Sequence, residues 1–120
     1  DIAVFADPNM ISVVIRNLLS NSVKFCKSGD HITIDAILKS YKVLISVADT
    51  GMGISEKDKD KLFTLEHTST IGTSGEKGYH IGLILCKEMI DQNHGKIWVE
   101  TEIGKGTTFW IELPNSNTTA

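Results

Sequence analysis

The sequence predicts an α+β chain folded as a two-layer α/β sandwich. It is read as a mixed, mostly antiparallel sheet with about three helices on one face and a long loop at one end. Three observations predict it. Residues 8–26 and 80–93 carry apolar side chains at helical spacing, whereas Ile32, Ile34, Ala36 and Leu38 alternate with the period of a strand. Short turn segments separate neighbouring strand-like runs, as in antiparallel hairpins. The resulting order, β-α-β-β-α-α-β-β, is that of a sheet buried under helices.

Residues 2–6 read as a short first strand. Asp7-Pro8 is a helix start, with Asp as N-cap and Pro at the first helical position. That helix runs to about Cys26 and stops at Ser28-Gly29-Asp30. Residues 31–38 form a half-buried strand, Lys39-Ser40-Tyr41 a turn, and 43–48 a more apolar strand. A short charged helix over 55–63 follows. Residues 64–79 are Thr- and Ser-rich and punctuated by Gly72, Gly75 and Gly78, and a polar loop of this length in a compact domain usually serves binding. The second amphipathic helix over 80–93 is stopped by His94-Gly95. Two last strands, 96–101 and 107–113, are joined by a turn at 103–106. The domain is expected over residues 1–114, with 115–120 a frayed tail.

The length of 120 residues suits one domain. A net charge of -3 gives no support for nucleic-acid or membrane-surface binding. No apolar run approaches the roughly 20 residues of a bilayer span. Cys26 and Cys86 read as reduced, buried small hydrophobes. The four histidines lack metal-site spacing, so a structural zinc is not expected. The chain does not begin with Met and reads as a piece of a larger protein.

The stretch Asn17-Leu18-Leu19-Ser20-Asn21-Ser22-Val23-Lys24-Phe25 carries the first chemistry. At about 100° per residue, Asn21 lies about 40° from Asn17 and Lys24 about 20° the other way. Two amides and an ammonium thus share one helix face. Asn is a poor helix-interior residue, so this is either a solvated face or a polar stripe towards a ligand. Amide oxygens suit Mg2+ and a lysine suits phosphate. The second element is Asp49-Thr50-Gly51-Met52-Gly53-Ile54. A strand-end carboxylate can accept from an exocyclic amine, and the glycines permit close backbone approach to a flat ring. The third is Gly75-Glu76-Lys77-Gly78, before a helix N-terminus that favours phosphate. Together they form a coherent nucleotide site, with Asp49 for adenine, Asn21 for Mg2+ and Lys24 for phosphate. No P-loop pattern is present.

These motifs, with Phe63, Lys96-Ile97-Trp98-Val99-Glu100 and Gly104-Lys105-Gly106-Thr107-Thr108-Phe109, resemble in order and spacing the ATP-binding catalytic domain of two-component sensor histidine kinases. The wider superfamily includes DNA gyrase, a heat-shock chaperone, a mismatch-repair ATPase and anti-sigma kinases. The resemblance implies ATP and Mg2+ as cofactors and the residues 64–79 as an ATP lid anchored by Phe63. It implies Asn21 as the Mg2+ ligand and, with Lys24, the catalytic pair. Asn17 would stand at phosphate or its solvent shell. Phe25, where the family often has Tyr, would line the pocket. Asp49 would take the adenine amine over a floor of Gly51 and Gly53, with Ile54 near the base. Lys77, Gly78, His80 and Gly82 fall in the second glycine motif, and Thr107 or Thr108 in the adenine-side network.

One departure is His80. The family reads Gly-x-Gly-Leu-Gly-Leu where this chain has Gly78-Tyr79-His80-Ile81-Gly82-Leu83. An imidazole at the middle glycine either points to solvent or weakens ATP binding, and the latter would make the chain a degenerate nucleotide-binding or docking module. None of the four histidines has the phosphoacceptor setting. The resemblance therefore implies two partners: a dimerising helical phosphoacceptor domain of the same parent and a response regulator receiver domain. It implies no nucleic acid and no direct membrane contact by this domain, which would be cytoplasmic in a parent of a family often membrane-anchored. A stand-alone serine kinase of the anti-sigma type, or an ATPase relative, is the other reading.

Overall fold

A computed structural model describes residues 6–63 and 78–115, with the backbone alone for 78–81. The strand expected at 2–6 lies outside the described residues except for Ala6, as do the loop 64–77 and the tail 116–120. Helix α1 (Pro8–Phe25) starts as its sequence dictates. The Asp7 carboxylate accepts from the amides of Asn9 and Met10 at 2.8 and 3.2 Å, and Pro8 occupies the first turn, where no amide is needed. At its far end Gly29 takes φ 97° and Asp30 accepts from the Lys27 amide at 2.8 Å, which closes the turn.

Strands β1 (Ile32–Lys39) and β2 (Lys42–Asp49) form a hairpin in which Lys39 faces Lys42 and Ser40 takes φ 50°. Helix α2 (Glu56–Lys59) is a single turn capped by Ser55, shorter than the expected 55–63, and the chain continues in turns to Phe63. Helix α3 (Gly78–Gln92) begins two residues before the expected start. Its end is set by His94, at φ 63°, ahead of Gly95. Strands β3 (Lys96–Glu102) and β4 (Gly106–Pro114) are joined through Gly104 and Gly106, both at positive φ. Asn115 extends the order past Pro114, donating its amide to the Tyr41 carbonyl at 2.8 Å.

The four strands run β1-β2-β4-β3. All three pairings are antiparallel, so no parallel pair of the expected mixed sheet occurs among the described strands. Period-two patterning puts Val47, Phe109, Ile111 and Leu113 on the helix side. Val14, Leu18 and Phe25 of α1 and Leu83, Cys86 and Ile90 of α3 meet them at helical spacings. Each such buried side chain contributes about 1.5–3 kcal/mol. The helices are also tied end to end, because Asn93 accepts from the Asp7 amide at 2.8 Å and donates to the Met89 carbonyl at 2.7 Å.

The opposite sheet face carries Trp98 stacked on Trp110, with centroids 6.2 Å apart. Strand β1 departs from its reading as half-buried: Ile34 and Leu38 are 50% and 51% exposed. The alternation is present, but β1 is an edge strand and the described helices cover β2, β4 and β3 instead. Cys86 is buried as expected, whereas Cys26 is half-buried, and both are free thiols.

The loop after β2 is clamped from three sides. The Met52 amide donates to Phe25 at 3.1 Å, the Gly104 amide to Met52 at 2.8 Å, and the Ile54 amide to the Thr101 hydroxyl at 2.8 Å. Gly53 sits at φ 78° with the Glu102 carbonyl where a side chain would begin. Gly53→Ala is therefore expected to destabilise the domain by at least about 2 kcal/mol, from left-handed strain and the clash together. A urea midpoint equal to wild type would contradict this reading of the loop.

Candidate functional site

The site is assembled where the last turns of α1 lie over the end of β2. Asn21 and Ser22 are 1% and 0% exposed and Asp49 is 5% exposed. That burial removes the solvated-face reading of Asn21. The Asp49 Oδ1 accepts from the Gly51 amide at 2.9 Å. Its Oδ2, the Ser22 Oγ and the Asn21 Nδ2 are buried without a hydrogen-bond partner. Unpaired buried polar atoms cost about 1–3 kcal/mol each, so the three, on the last turns of α1 and the end of β2, call for something polar to satisfy them.

Burial pushes the Asp49 carboxyl above the usual carboxylate range, and Asp30 adds to the rise. The Gly51 amide, the Ser22 hydroxyl and the Thr107 amide pull the other way. The Ser22 hydroxyl is thus near enough to act on the carboxylate while making no aligned hydrogen bond to it. Burial, then Asp49 and Asp30, push the Cys26 thiol up, and burial lifts Cys86 to about 11 against a pull from Asn17. Neither thiol is primed as a nucleophile.

Register decides between the two threonines. Thr107 lies directly opposite Asp49 and is buried, whereas Thr108 pairs with Ala48 on the other sheet face. The Thr101 hydroxyl accepts from the Ile54 amide and lies 3.1 Å from the Gly106 carbonyl and 2.8 Å from the Thr107 hydroxyl. One proton assignment satisfies all three contacts: Thr101 donates to Gly106, and Thr107 donates to Thr101.

The expected stripe of Asn17, Asn21 and Lys24 is divided. Asn17 is half-buried against α3, its Oδ1 3.3 Å from where a side chain on Gly82 would begin. Gly82 therefore lets the two helices approach. Lys24 is half-buried and Phe25 buried, and both line a cavity of about 610 Å³ with Gly51, Met52, Ile103 and Gly104. Asn21, Asp49 and Thr107 do not line that cavity. The polar cluster is the better candidate, because convergent polar groups orient a ligand and open space alone does not. Gly51 and Gly53 face their own chain: a side chain on Gly51 would strike the Phe25 carbonyl, as one on Gly53 would strike Glu102. The close backbone approach expected to serve a flat ring thus serves loop closure. Ile54 is buried in the core and Phe63 packs against it. The backbones of Gly78 and His80 are in the first turn of α3, and Lys77 lies outside the described residues.

Among the described residues, no three His, Cys, Asp or Glu side chains form a metal cluster. Mg2+ is usually held by one or two protein oxygens plus phosphates and water. Asn21 fits such a role. Its orphaned amide position becomes a ligating oxygen on a half-turn of the side chain, and amide orientation is assigned from partners. No described helix is long and apolar enough to cross a membrane. Residues missed in the sequence are Ser22 and Thr101. Ser22 had a legible signal, being a polar residue about 40° from Leu18 on the core-facing side.

Residues 6–117 match the family described as histidine kinase-, DNA gyrase B-, and HSP90-like ATPase. The adaptive-response sensory kinase SasA of Synechococcus sp. strain JA-2-3B'a(2-13) is 38% identical over 113 residues, covering 93% of this chain and 30% of the relative. SasA of Synechococcus elongatus is 39% identical over 112 residues, 92% of this chain and 28% of the relative. The chain thus spans under a third of the length of these relatives. The catalytic domain of histidine kinase ThkA superposes with a TM-score of 0.74 at 32% identity, covering 91% of this chain and 67% of that one. Full-length ShkA in complex with AMPPNP gives 0.78 at 26%, covering 100% and 24%. The chain belongs to the histidine kinase-, DNA gyrase B- and HSP90-like ATPases, and within them it is a histidine kinase catalytic domain with its ATP-binding fold.

Proposed function

We propose that this chain binds Mg-ATP and donates the γ-phosphoryl group to a histidine on a separate helical dimerisation domain of its parent, from which a response regulator receiver domain takes it. The observation that carries the reading is the buried carboxylate of Asp49, with one oxygen fixed by Gly51 and the other without a hydrogen-bond partner near Ser22. An ionised carboxylate accepts the exocyclic amine of adenine. Asn21 would hold Mg2+ through its amide oxygen, and Lys24 would face phosphate. Held there, Mg2+ would supply neutralisation of the charge on the transferring phosphoryl group. The chain's own work is to position the nucleotide and exclude water around it. Asn17, Phe25, Ile54, Lys77, Gly78, His80, Gly82 and Thr107 complete the proposed nucleotide contacts. The domain is proposed over 1–114, with its parent's partners supplying the accepting imidazole and its base.

Calorimetric titration with a non-hydrolysable ATP analogue tests this, with and without Mg2+ and beside His80→Gly. Micromolar binding that needs Mg2+ is the expected result. Binding absent in both forms would remove the kinase reading and leave a docking module. Binding found only in His80→Gly would make the natural site a degenerate one.

A further inference from the structure

We infer that β1 is a self-pairing edge, through which two copies of this chain join antiparallel into one continuous sheet. The pairing involves no residue of the proposed nucleotide site. Strand β1 ends the strand order among the described strands. The Thr50 amide donates to the His31 carbonyl at 3.0 Å, so the odd-numbered residues of β1 turn their backbone groups to β2 and the even-numbered ones turn theirs outwards. The Ala36 amide agrees, because it donates to the Asp35 carboxylate at 2.9 Å. The side chains of this edge are largely apolar. Ile34 and Leu38, opposite Val47 and Val43, stand exposed on the helix side, and Ile37 stands exposed on the other face.

Charges on an edge strand usually discourage pairing. Strand β1 carries Asp35 and Lys39, but these are opposite in sign and lie two residues either side of Ile37, on its own face. About a two-fold axis through Ile37, Asp35 of one copy stands opposite Lys39 of the second, and Lys39 opposite Asp35, while Ile37 meets its own equivalent. In the same register Ala36 and Leu38, whose backbone groups point outwards, exchange hydrogen bonds across the junction. The charged pairs are then of the closer, non-hydrogen-bonded kind, which suits an ion pair. In the neighbouring registers one charge would face Ile37 instead, so the charge pattern selects a single register. Among the described residues neither charge is committed to an ion pair: the lysine that Glu112 holds at 2.9 Å is Lys42, across the hairpin from Lys39, and Asp35 accepts from its neighbour's amide. On pairing, the Ala36 amide passes from Asp35 to the Leu38 carbonyl of the second copy, and the freed carboxylate meets an ammonium. The described helices pack on β2 and β3 rather than on β1, which leaves the helix side of the junction open to a second chain.

One strand pair buries less than the roughly 800 Å² per partner of a stable interface, so association is expected at about 0.1–1 mM. Small-angle scattering and amide hydrogen exchange across that range test it on wild type, on Asp35→Lys, on Lys39→Asp and on an equimolar mixture of the two variants. Wild type is expected to dimerise, with new protection at the Ala36 and Leu38 amides. Each variant alone sets like charges opposite at both pairs and is expected to associate at least about tenfold more weakly. The mixture is expected to recover wild-type association, because Asp35→Lys and Lys39→Asp restore two opposite-charge pairs between them. Both positions are exposed on the edge strand, so the fold is not at stake. Wild type that stays monomeric to about 1 mM, or a dimer whose new protection falls outside β1, would overturn the self-pairing. So would single variants that associate like wild type, or a mixture that associates no better than its parts.

Discussion

Asn21→Ala is expected to abolish Mg2+-dependent ATP binding, with at least a hundredfold loss of affinity, while the domain stays folded. The side chain is buried with its Nδ2 unpartnered, so truncation removes an unsatisfied donor. A cavity is left, but the lost volume is polar and small, and the apolar cluster around Leu18 and Phe25 remains. The loss falls on the Mg2+ complex, because no cluster of three or more metal-ligating side chains among the described residues replaces the amide oxygen. Calorimetry with and without Mg2+, beside far-UV dichroism, checks both halves. Wild-type Mg-ATP affinity in a folded Asn21→Ala domain would remove Asn21 from the site.

Asp49→Asn is expected to weaken ATP binding by about a hundredfold, from loss of a charge-assisted hydrogen bond and its replacement by a donor facing a donor. The nucleotide-free fold is expected to be as stable as wild type or more so. Burial raises the Asp49 pKa in the folded state. A carboxyl whose folded pKa is raised favours the fold below its unfolded value of about 3.9, and that contribution is lost as pH rises through the folded value. Over that window wild-type stability should fall relative to Asp49→Asn. ATP affinity should rise over the same window as the carboxylate ionises. Chemical unfolding and titration at several pH values measure the two trends. Parallel trends, or an Asp49→Asn variant that binds ATP normally, would contradict the assignment of Asp49 to the base.

The pattern of legibility follows the range of the forces involved. The start of α1 was readable because Asp7 and Pro8 act within one turn of themselves. The hairpins were readable because Gly104 and the Lys39-Ser40-Tyr41 turn impose local geometry. The stretch from Asn17 to Phe25 and the loop from Asp49 to Ile54 were recognisable as motifs, and the fold buries Asn21 and Asp49. The one-turn length of α2 and the early start of α3 were not readable, since helix ends depend on what packs against them.

The role of the glycines shows the same division. Gly51 and Gly53 announced a tight approach of something to the backbone, and composition does not say of what. Their neighbours proved to be Phe25 and Glu102, residues 26 and 49 positions away in the chain, so the approach is the fold's own.

The sequence by itself determined the order of the described elements, the helix-facing apolar stripe of α1 and the two polar motifs, because caps, turns and periodicity act between residues close in the chain. Tertiary structure alone decided that β1 lies at an open edge, that Thr107 rather than Thr108 faces Asp49, and that Ser22 stands unpaired beside the same carboxylate. Each of those depends on strand order, register or the meeting of a helix with a sheet. A one-residue slip of register reverses the face of every side chain in a strand, so no local pattern could state it.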